Sequence, residues 1–504
     1  MTDVSATSTT AVAPGNDRTF LGQPIGLATL FLTEMWERFT YYGMRANFVL
    51  FLVAAVTTGG FGMDDRTANS IYGLYTAGTY LLSLFGGWIA DRLTGSQRAV
   101  WYGGILILIG NAMLASGSTQ IFFAGLIPLV FGVGLLKPNI SAVVAQLYPE
   151  GGSRRDAGFS IFYMGINIGA FLGSTLVPIV AQAYGWRFGF ATPAVGMLIG
   201  LVIFASMRSF LGSAGVAPGV SAAVLAKSRN AWLAVIAITV AILAAVASAF
   251  LGFIHIDPKV LLDQSLWAMG LFGAAYFVYM LFFAGLTPVE RKRVLVMIAL
   301  FAACVMFWTG FEQTGSSLNL FAARYTDRHL FGWDMPAGLF QNINPFFIIV
   351  FSPVFAAIWV SLGKRNLDPS APAKFALGLT LLGVGFAVMY FAAQFVVSGQ
   401  EVLPTWLIFT YMFHTFGELC LSPVGLSSMS KLAPPRFVGQ ALGLWFLATA
   451  LGNGLAGKIA GEFDPNNIAA MPGQFLWLFW WGVVGGVVMF AITPFAKKLM
   501  GGVK

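Results

Sequence analysis

Six charged or phenolic residues recur on one helical face near the start of an otherwise apolar chain. The segment "EMWERFTYYGMRANFVLF" at residues 34–51 holds them, at offsets 0, 3, 4, 7, 8 and 11 from its first residue: Glu34, Glu37, Arg38, Tyr41, Tyr42 and Arg45. At 100° per residue these positions share one side of a helix. Carboxylates, guanidinium groups and phenols in one row can hold a charged solute or pass a proton, so the stripe is a candidate binding surface.

The composition of the whole chain indicates that a bilayer surrounds it. Of 504 residues, 58% are hydrophobic and 10% are charged, and the mean hydropathy is +0.79. A spanning helix needs about 20 apolar residues. Apolar runs between Gly, Pro and charged breaks predict fourteen spans, at 25–56, 68–89, 99–116, 120–147, 157–183, 188–211, 231–253, 264–286, 294–320, 336–362, 373–397, 403–430, 437–458 and 472–496.

Several other classes of protein are disfavoured by the sequence. The net charge of +8 does not indicate nucleic-acid binding, because the basic residues are scattered over short loops. Cys304 and Cys420 fall in apolar segments, where free thiols pack as small hydrophobic groups. The chain has no phosphate-binding loop, nucleophile elbow or metal-ligand spacing, so we expect neither an enzyme nor a cofactor.

The distribution of Lys and Arg predicts the orientation in the membrane. With the N-terminal tail placed inside, inner loops carry 19 cationic residues and outer loops carry 6. This bias follows the positive-inside rule and predicts that both termini lie in the cytoplasm. The polar first 24 residues lack an apolar core and a cleavage site, so they are interpreted as a cytoplasmic tail.

Seven charges fall at membrane depth, and their distribution is uneven. At roughly 2.5–3.5 kcal/mol each, seven isolated charges would cost about 20 kcal/mol, more than the net stability of most proteins. They must face water or one another; one alternative is that they only hold helices together. All three cations lie in the first half of the chain, together with two acids: Arg38, Arg45 and Lys137, with Glu34 and Glu37. The second half contains only two of the seven charges, the acids Glu312 and Glu418.

A cavity between two such halves suits a small zwitterion. Its carboxylate would face Arg38 and Lys137, and its ammonium group would face Glu418. Prolines in "LLKPNIS", "NINPFF" and "LCLSPVGLS" predict helix breaks beside that cavity. The spacing Gly132-x₅-Pro138 recurs as Gly417-x₅-Pro423, which hints at a parallel internal repeat, although ordinary kinks would give the same pattern.

Four motifs resemble those of a known transporter family. "GGWIADRLTGSQR" (86–98) resembles the loop signature of the major facilitator superfamily, and "EMWERFTYYG" resembles the ExxERFxYYG motif of the proton-dependent oligopeptide transporters. "DAGFSIFYMGINIGAF" (156–171) and "GELCLSPVG" (417–425) are similar to the same family's fifth- and tenth-helix signatures. The resemblance covers nearly the whole chain.

The resemblance implies an all-α integral membrane protein with the major facilitator fold. Two six-helix bundles and an extra two-helix insertion make up the fourteen transmembrane helices. The expected parts are a flexible cytoplasmic tail at 1–24, the first bundle at 25–212, a linker with the insertion at 213–290, the second bundle at 291–497 and a second tail at 498–504.

The resemblance also implies a substrate site. Arg38 and Lys137 would bind the peptide carboxylate. The other residues implied to contact the peptide are Tyr41, Tyr42 and Tyr75 at that end, Asn167 and Asn344 at the amide and amino end, Glu418 at the ammonium group, and Trp308, Trp445 and Thr449 at the side-chain pockets.

Proton coupling and gating are implied for a partly overlapping set. Glu34 and Glu37 resemble the proton-coupling carboxylates, and the implied gate pairs are Arg45 with Glu312 and Lys137 with Glu418. Two aromatic residues, Tyr72 and Tyr80, are interpreted as packing residues. Gly73 stands where mammalian relatives carry a histidine. His414, one helical turn before Glu418, is interpreted as a packed neutral histidine, with modulation of Glu418 as the alternative.

Together these features predict proton-coupled symport of di- and tripeptides by alternating access. The expected location is the bacterial cytoplasmic membrane, the expected partners are peptide, protons and lipid, and the expected working unit is a monomer without a cofactor. Two alternatives stay open: the same fold could carry another small anion or a drug, or the chain could be a receptor that binds peptides without moving them.

Overall fold

Fifteen α-helices occupy most of the residues that the computed structural model describes, which are 19–149, 152–216, 222–330 and 332–501. Four two-residue strands form two small antiparallel pairs, β1 (Thr19–Phe20) with β2 (Gln23–Pro24) and β3 (His329–Leu330) with β4 (Trp333–Asp334). The helices are α1 (Gly26–Val53), α2 (Asp65–Ile89), α3 (Ser96–Leu114), α4 (Thr119–Gln146), α5 (Gly152–Tyr184), α6 (Trp186–Met207), α7 (Ala222–Phe250), α8 (Pro258–Val278), α9 (Pro288–Phe311), α10 (Ser317–Tyr325), α11 (Ile343–Lys364), α12 (Ala371–Val397), α13 (Thr405–Leu432), α14 (Val438–Ala460) and α15 (Met471–Met500).

The helices confirm the predicted fold class and the count of fourteen spans, because α9 and α10 together form one span. Among the described residues, nine helical segments are long and apolar enough to cross a membrane by length and composition alone. α1 is outside this set, since every long stretch of it includes charges of the stripe at residues 34–45. Helices α2, α3, α13 and α14 are also outside it, but the charged face of α1 is the feature that a site has to explain.

Two separate apolar cores hold the helices together. The first contains buried residues from Leu27 to Leu211, on α1 to α6, joined by Leu320. The second runs from Met269 to Met500, on α8 to α15, and takes in Ala77 of α2. Helices α1 and α5, α3 and α4, and α12 with α13 and α15 make the largest packing interfaces. Each half of the chain therefore has its own core, and the two halves meet across a smaller boundary.

The same close helix crossing occurs once in each half. A Cβ atom on Gly132 of α4 would lie 2.7 Å from the carbonyl oxygen of Gly103 on α3. A Cβ atom on Gly417 of α13 would lie 2.7 Å from the carbonyl oxygen of Gly378 on α12. Only glycine permits backbones to approach so closely. The matching crossings support the parallel repeat that the Gly-x₅-Pro spacing indicated.

The two inserted helices contact the rest of the protein differently. α8 packs against both α2 and α14. Its ion pairs reach both: Lys259 Nζ lies 3.6 Å from Asp64 at the start of α2, and Asp263 lies 2.6 Å from Lys458 Nζ of α14. In α7, by contrast, the most apolar stretch has no buried residue. Of the two inserted helices, α8 therefore contacts both halves, whereas α7 is mostly exposed.

Three predicted features differ from the structure. The span predicted at 294–320 is not one helix, because a 3-10 turn (Glu312–Gly315) separates α9 from α10. Hydroxyls compete with the helix there: those of Thr314 and Ser316 bond to the carbonyls of Phe311 and Glu312. Pro345 lies in the first turn of α11, where its missing N–H has no intrahelical partner to lose, so the break precedes it.

The predicted tails also differ in part. Residues 1–18 and 502–504 lie outside the described residues, as do 217–221 of the predicted linker. Positions 19–24, predicted to belong to the first tail, include the β1–β2 pair. α15 continues through Lys498 to Met500, beyond the predicted start of the second tail. Lys497 and Lys498 lie in its last turn, where cations interact favourably with the helix dipole.

Candidate functional site

Arg38 and two carboxylates form a buried ionic cluster on α1. The Nε atom of Arg38 lies 3.2 Å from Oε1 of Glu34, and it also bonds Oε2 of Glu37. The guanidinium group lies over the ring of Tyr41, 5.3 Å from its centroid. One oxygen of each glutamate and Nη2 of Arg38 are buried without a protein partner. With both glutamates ionised the cluster carries a net charge of −1, and it keeps unused donors and acceptors.

Lys137 lies on α4 at the end of this cluster. Its ammonium group is 3.7 Å from the centroid of the Tyr80 ring, and no carboxylate in the described part of the chain forms an ion pair with it. The side chain is half-buried. Tyr80 packs against the second core, as the sequence interpretation had it, and its ring in addition contacts this cation.

A second ionic cluster joins the two halves. Nη2 of Arg45 on α1 lies 3.1 Å from Oε2 of Glu312, at the end of α9. The Tyr72 hydroxyl accepts a hydrogen bond from Nε of Arg45 at 2.8 Å and donates one to Oε2 of Glu312 at 3.0 Å. All three side chains are buried. The ring of Tyr72 packs in the first core, as the sequence interpretation had it, and its hydroxyl in addition makes it the third member of this bridge.

The second half contributes a carboxylate with an amide partner. Oε2 of Glu418 on α13 accepts a hydrogen bond of 2.9 Å from Nδ2 of Asn344, in the first turn of α11. The same Nδ2 donates to Oγ1 of Thr415 at 3.0 Å. Glu418 and Asn344 are both half-buried, as is Trp308 of α9. These groups could receive a cationic group entering from the space between the halves.

Five of the proposed substrate residues are buried in helix packing. Tyr75 and Tyr41 stack at 6.3 Å, and Asn167 donates to the backbone carbonyl of Tyr163. The Thr449 hydroxyl donates to the carbonyl of Trp445 and lies 4.0 Å from Sγ of Cys304. The half-buried members of the predicted set, which keep accessible surface, are Tyr42, Lys137, Trp308, Asn344 and Glu418.

Helices α2 and α14 form the largest interface between the halves, and several side-chain hydrogen bonds join the halves at the end of α1 that carries Arg45. The Asn319 side chain donates to the carbonyl of Ala46 at 3.0 Å, and the carboxylate of Asp65 accepts two bonds from Arg324. Ser174 donates to the side-chain oxygen of Asn342 at 2.5 Å. This end of the boundary is closed.

The other end of the boundary has a different character. α4 and α13, which carry Lys137 and Glu418, form no packed interface among the described residues. The expected Lys137–Glu418 ion pair is not formed there, since Lys137 faces Tyr80 and Glu418 faces Asn344. Buried polar contacts therefore join the halves at the Arg45 end, whereas α4 and α13 are not packed together.

His414 has no binding partner among the described residues of the site. His414 is buried against Phe386, at 4.7 Å between ring centroids, and a Cβ atom on Gly385 would lie 2.5 Å from its ring. This is the packed environment that the sequence favoured. In the ranges that the structure describes, no group of His, Cys, Asp or Glu is arranged to hold a metal ion.

Two repeated helical halves with ionic groups at membrane depth define a membrane protein of the major facilitator class. The sequence profile PTR2, described as the POT family, matches residues 97–478, and the chain belongs to that family.

Named relatives agree with this assignment over nearly the whole chain. A "Peptide transporter YePEPT" from Yersinia enterocolitica subsp. palearctica serotype O:3 (strain YE-P4) is 40% identical over 479 residues, 93% of each chain. A "Di-/tripeptide transporter" from Lactococcus lactis subsp. lactis (strain IL1403) is 34% identical over 505 residues, 97% of this chain and 99% of the relative.

Solved structures give the same result. A peptide transporter POT in complex with sulfate superposes with a TM-score of 0.89 at 40% identity, covering 97% of this chain and 98% of the other. A POT family transporter in complex with 5-aminolevulinic acid superposes with a TM-score of 0.86 at 33% identity, covering 96% and 99%.

Proposed function

We propose that this protein imports di- and tripeptides together with protons across the bacterial cytoplasmic membrane by alternating access. One observation carries the proposal: a buried ion pair joins the halves at one end, while Lys137 and Glu418, on the unpacked helices α4 and α13, form no ion pair with each other. The names of the relatives, a peptide transporter and a di-/tripeptide transporter, support peptide as the cargo.

The peptide would lie between the two halves with its charged ends apart. Its carboxylate would meet Lys137, which forms no ion pair among the described residues, and its ammonium group would meet Glu418, already oriented by Asn344. At reduced dielectric such charge pairs are worth several times more than in water. The two backbone charges of a short peptide then fix its orientation, and the half-buried Trp308 would border its side chains.

Proton coupling would operate through the α1 cluster. Arg38 is held by Glu34 and Glu37, so both carboxylates compete with a substrate carboxylate for it. Protonation of either glutamate removes one competitor and frees guanidinium N–H donors for the peptide. A proton and a peptide would therefore bind together.

The two bundles proposed at 25–212 and 291–497 would rock about this site, with 213–290 as the linker and insertion. The Arg45–Glu312 pair would close the outer end, and breaking it would accompany outward opening. Both termini would lie in the cytoplasm, as the cation bias predicts. We propose a monomer as the working unit, because all the groups of the site come from one chain.

Uptake by the purified protein in proteoliposomes tests this function. Labelled dialanine should accumulate when the outside is made acidic, and a proton uncoupler should abolish the accumulation. Proton entry on addition of dialanine separates a transporter from a receptor that binds without transport. Dialanine uptake that is equal with and without a pH gradient would contradict proton coupling.

A second cargo class deserves the same assay, because the charges of the site match any short zwitterion. A relative has been solved with 5-aminolevulinic acid, which has an amine and a carboxylate but no peptide bond. Competition of labelled dialanine uptake by unlabelled dialanine, 5-aminolevulinic acid and nitrate ranks these classes. We expect dialanine to compete most strongly and nitrate least.

A further inference from the structure

A membrane-facing cavity of about 560 Å³ lies between α7 and the first half of the protein. One face of α7 and parts of α2, α3 and α4 line it. Its polar side-chain groups are the hydroxyls of Thr94, Tyr102 and Thr239 and the indole of Trp232, and all its other lining residues are apolar. None of the charged site residues lines this cavity, so it is a separate feature of the molecule.

The cavity exists because α7 stands away from the helices beside it. α7 contacts the body of the protein at the turn Ala90–Thr94, where α2 ends. Farther along, its residues Val235, Ile242 and Val246 are half-buried on the face that lines the cavity. From Trp232 to Val246 the helix rises about 21 Å. One leaflet of the hydrocarbon core is about 15 Å thick, so the cavity is long enough for an extended acyl chain.

The walls of the cavity favour a hydrocarbon occupant. Water in a buried space needs two to four polar partners, and these walls offer few. An empty gap of this size inside a bilayer would forfeit dispersion contacts on both sides. A flexible acyl chain from the surrounding lipid fills such a space without loss of polar hydration.

Three arginines surround the end of the cavity where α7 begins. Arg92 is on the turn after α2, Arg98 is in the first turn of α3, and Arg229 is one helical turn before Trp232. All three are exposed, and none forms an ion pair in the described ranges. The exposed acid on the same turn is Asp91, so these four residues carry a net charge of 3 − 1 = +2. The Arg92 guanidinium lies over the Trp88 ring at 5.4 Å.

We propose that this cavity binds an anionic glycerophospholipid. One acyl chain lies between α7 and the first half, and the lipid phosphate contacts Arg92, Arg98 and Arg229. Guanidinium groups bind phosphate oxygens with charge-assisted hydrogen bonds, and basic residues at a membrane surface favour anionic lipid. The lipid would hold α7 against α2, α3 and α4, where direct protein packing is sparse. This gives one of the two inserted helices a role that peptide transport alone does not explain.

Native mass spectrometry of the full-length protein in detergent tests the headgroup contacts, with phosphatidylglycerol and phosphatidylcholine of identical acyl chains. We expect phosphatidylglycerol to bind about tenfold more tightly, and the triple variant R92A/R98A/R229A to bind both lipids alike. The matched control is R291A/K292A/R365A, which removes three exposed cations away from the cavity. Equal binding of the two lipids by the unmodified protein, or an equal loss in the control, would overturn the proposal.

A second pair of variants tests the acyl chain. Ile242→Trp fills the cavity from α7, whereas Val240→Trp adds the same bulk to a residue that is 59% exposed on the opposite face of α7. We expect Ile242→Trp to weaken binding of both lipids and Val240→Trp to leave it unchanged. Glycerol phosphate, which has the headgroup charge without chains, should not compete. Competition by glycerol phosphate, or full lipid binding by Ile242→Trp, would contradict a chain in the cavity.

Discussion

Two ion pairs were expected to bridge the halves, and only one of them is formed among the described residues. Arg45 and Glu312 meet at 3.1 Å, with side chains 5% and 4% exposed, and share the hydroxyl of Tyr72. Lys137 instead faces the Tyr80 ring, and Glu418 binds Asn344. Both members of the second pair keep accessible surface.

The two pairs differ in how much energy it costs to separate their charges. Breaking a buried pair by removing one partner costs about 3–5 kcal/mol, because the other charge is left unpaired at low dielectric. Charges that keep contact with water can stay apart at much lower cost. In the proposed cycle, the Arg45 end would therefore need a compensating event before it opens. Lys137 and Glu418 form no such pair, which agrees with their proposed role in binding the substrate.

The largest effect is expected from removing the formed pair. Glu312→Gln and Arg45→Ala should each abolish dialanine uptake driven by a pH gradient, as measured in proteoliposomes. Each variant removes a charge that the outer closure uses, and Glu312→Gln also removes a group that can take up a proton.

An exposed pair across the same boundary supplies the control. Arg66 Nη2 and Glu462 lie 2.5 Å apart, but both side chains are more than half exposed. Such pairs contribute about 0–1 kcal/mol. Arg66→Ala should therefore keep most of the uptake, and near-normal uptake by both variants of the buried pair would refute its gating role.

If Lys137 and Glu418 come together during transport, the distance between α4 and α13 should change. Spin labels at S141C on α4 and S427C on α13 should move closer together when conditions favour outward opening, because the bundles rock about the site. Double electron–electron resonance measures this separation. Labels at S141C and S160C, both in the first half, should keep their distance. A constant separation between the halves under all conditions would exclude rocking at this boundary.

The Tyr72 hydroxyl sharpens the comparison further. Tyr72→Phe removes two hydrogen bonds to charged groups, each worth about 1.5–3 kcal/mol, while the ring can keep its contact with Phe48. We expect proton-driven uptake to fall about five- to tenfold. Tyr411→Phe is the matched control, since that buried hydroxyl has no hydrogen-bond partner. Equal effects of the two variants would show that the bridge does not depend on Tyr72.

Much of the fold and part of the site could be predicted from the sequence, for identifiable reasons. A run of about 20 apolar residues has few alternatives to a spanning helix, which is why the count of fourteen is correct. The charged stripe on α1 could be identified because a charge at membrane depth costs free energy and therefore indicates a function. The pairing of Arg45 with Glu312 was implied by the family resemblance and agreed with the uneven distribution of charge, although the conformation that the pair closes could not be predicted.

The rest depended on contacts that sequence spacing does not encode. Tyr72 and Tyr80 resemble the packing aromatics around them, because only the approach of α1 and α4 shows what their rings and hydroxyls meet. A phenol in an apolar helix usually needs a polar partner, and that signal could have identified Tyr72. The helix break after Phe311 arises from several weak hydroxyl preferences together. Tyr75 and Thr449 matched a family pattern, yet both are buried among other helices.

A smaller effect is expected where α8 joins the halves. The Lys458–Asp263 pair is 2.6 Å long, but its side chains are 46% and 47% exposed. Lys458→Ala should lower the melting temperature by at most about 1–2 °C, as measured by scanning fluorimetry. Asp263→Asn should have the same small effect, and the double variant should not exceed it much if the two residues act as one pair. A loss comparable to that of Arg45→Ala would show that α8 carries the closure.

The smallest effect concerns an ion pair fully in water, in the β3–β4 loop. Nδ1 of His329 lies 2.8 Å from Oδ1 of Asp334, and this hydrogen bond holds the pKa of His329 above its usual value. The pair therefore contributes at low pH, and its contribution is lost as the pH rises through the raised pKa of His329. Asp334→Asn should return that pKa to about 6.5, as read from the histidine signals in an NMR titration. His329→Gln assigns the signal, and an unchanged titration in Asp334→Asn would show that Asp334 does not hold the imidazolium in solution. Since exposure leaves little electrostatic energy in such a pair, uptake should not change, in contrast to the buried Arg45–Glu312 pair.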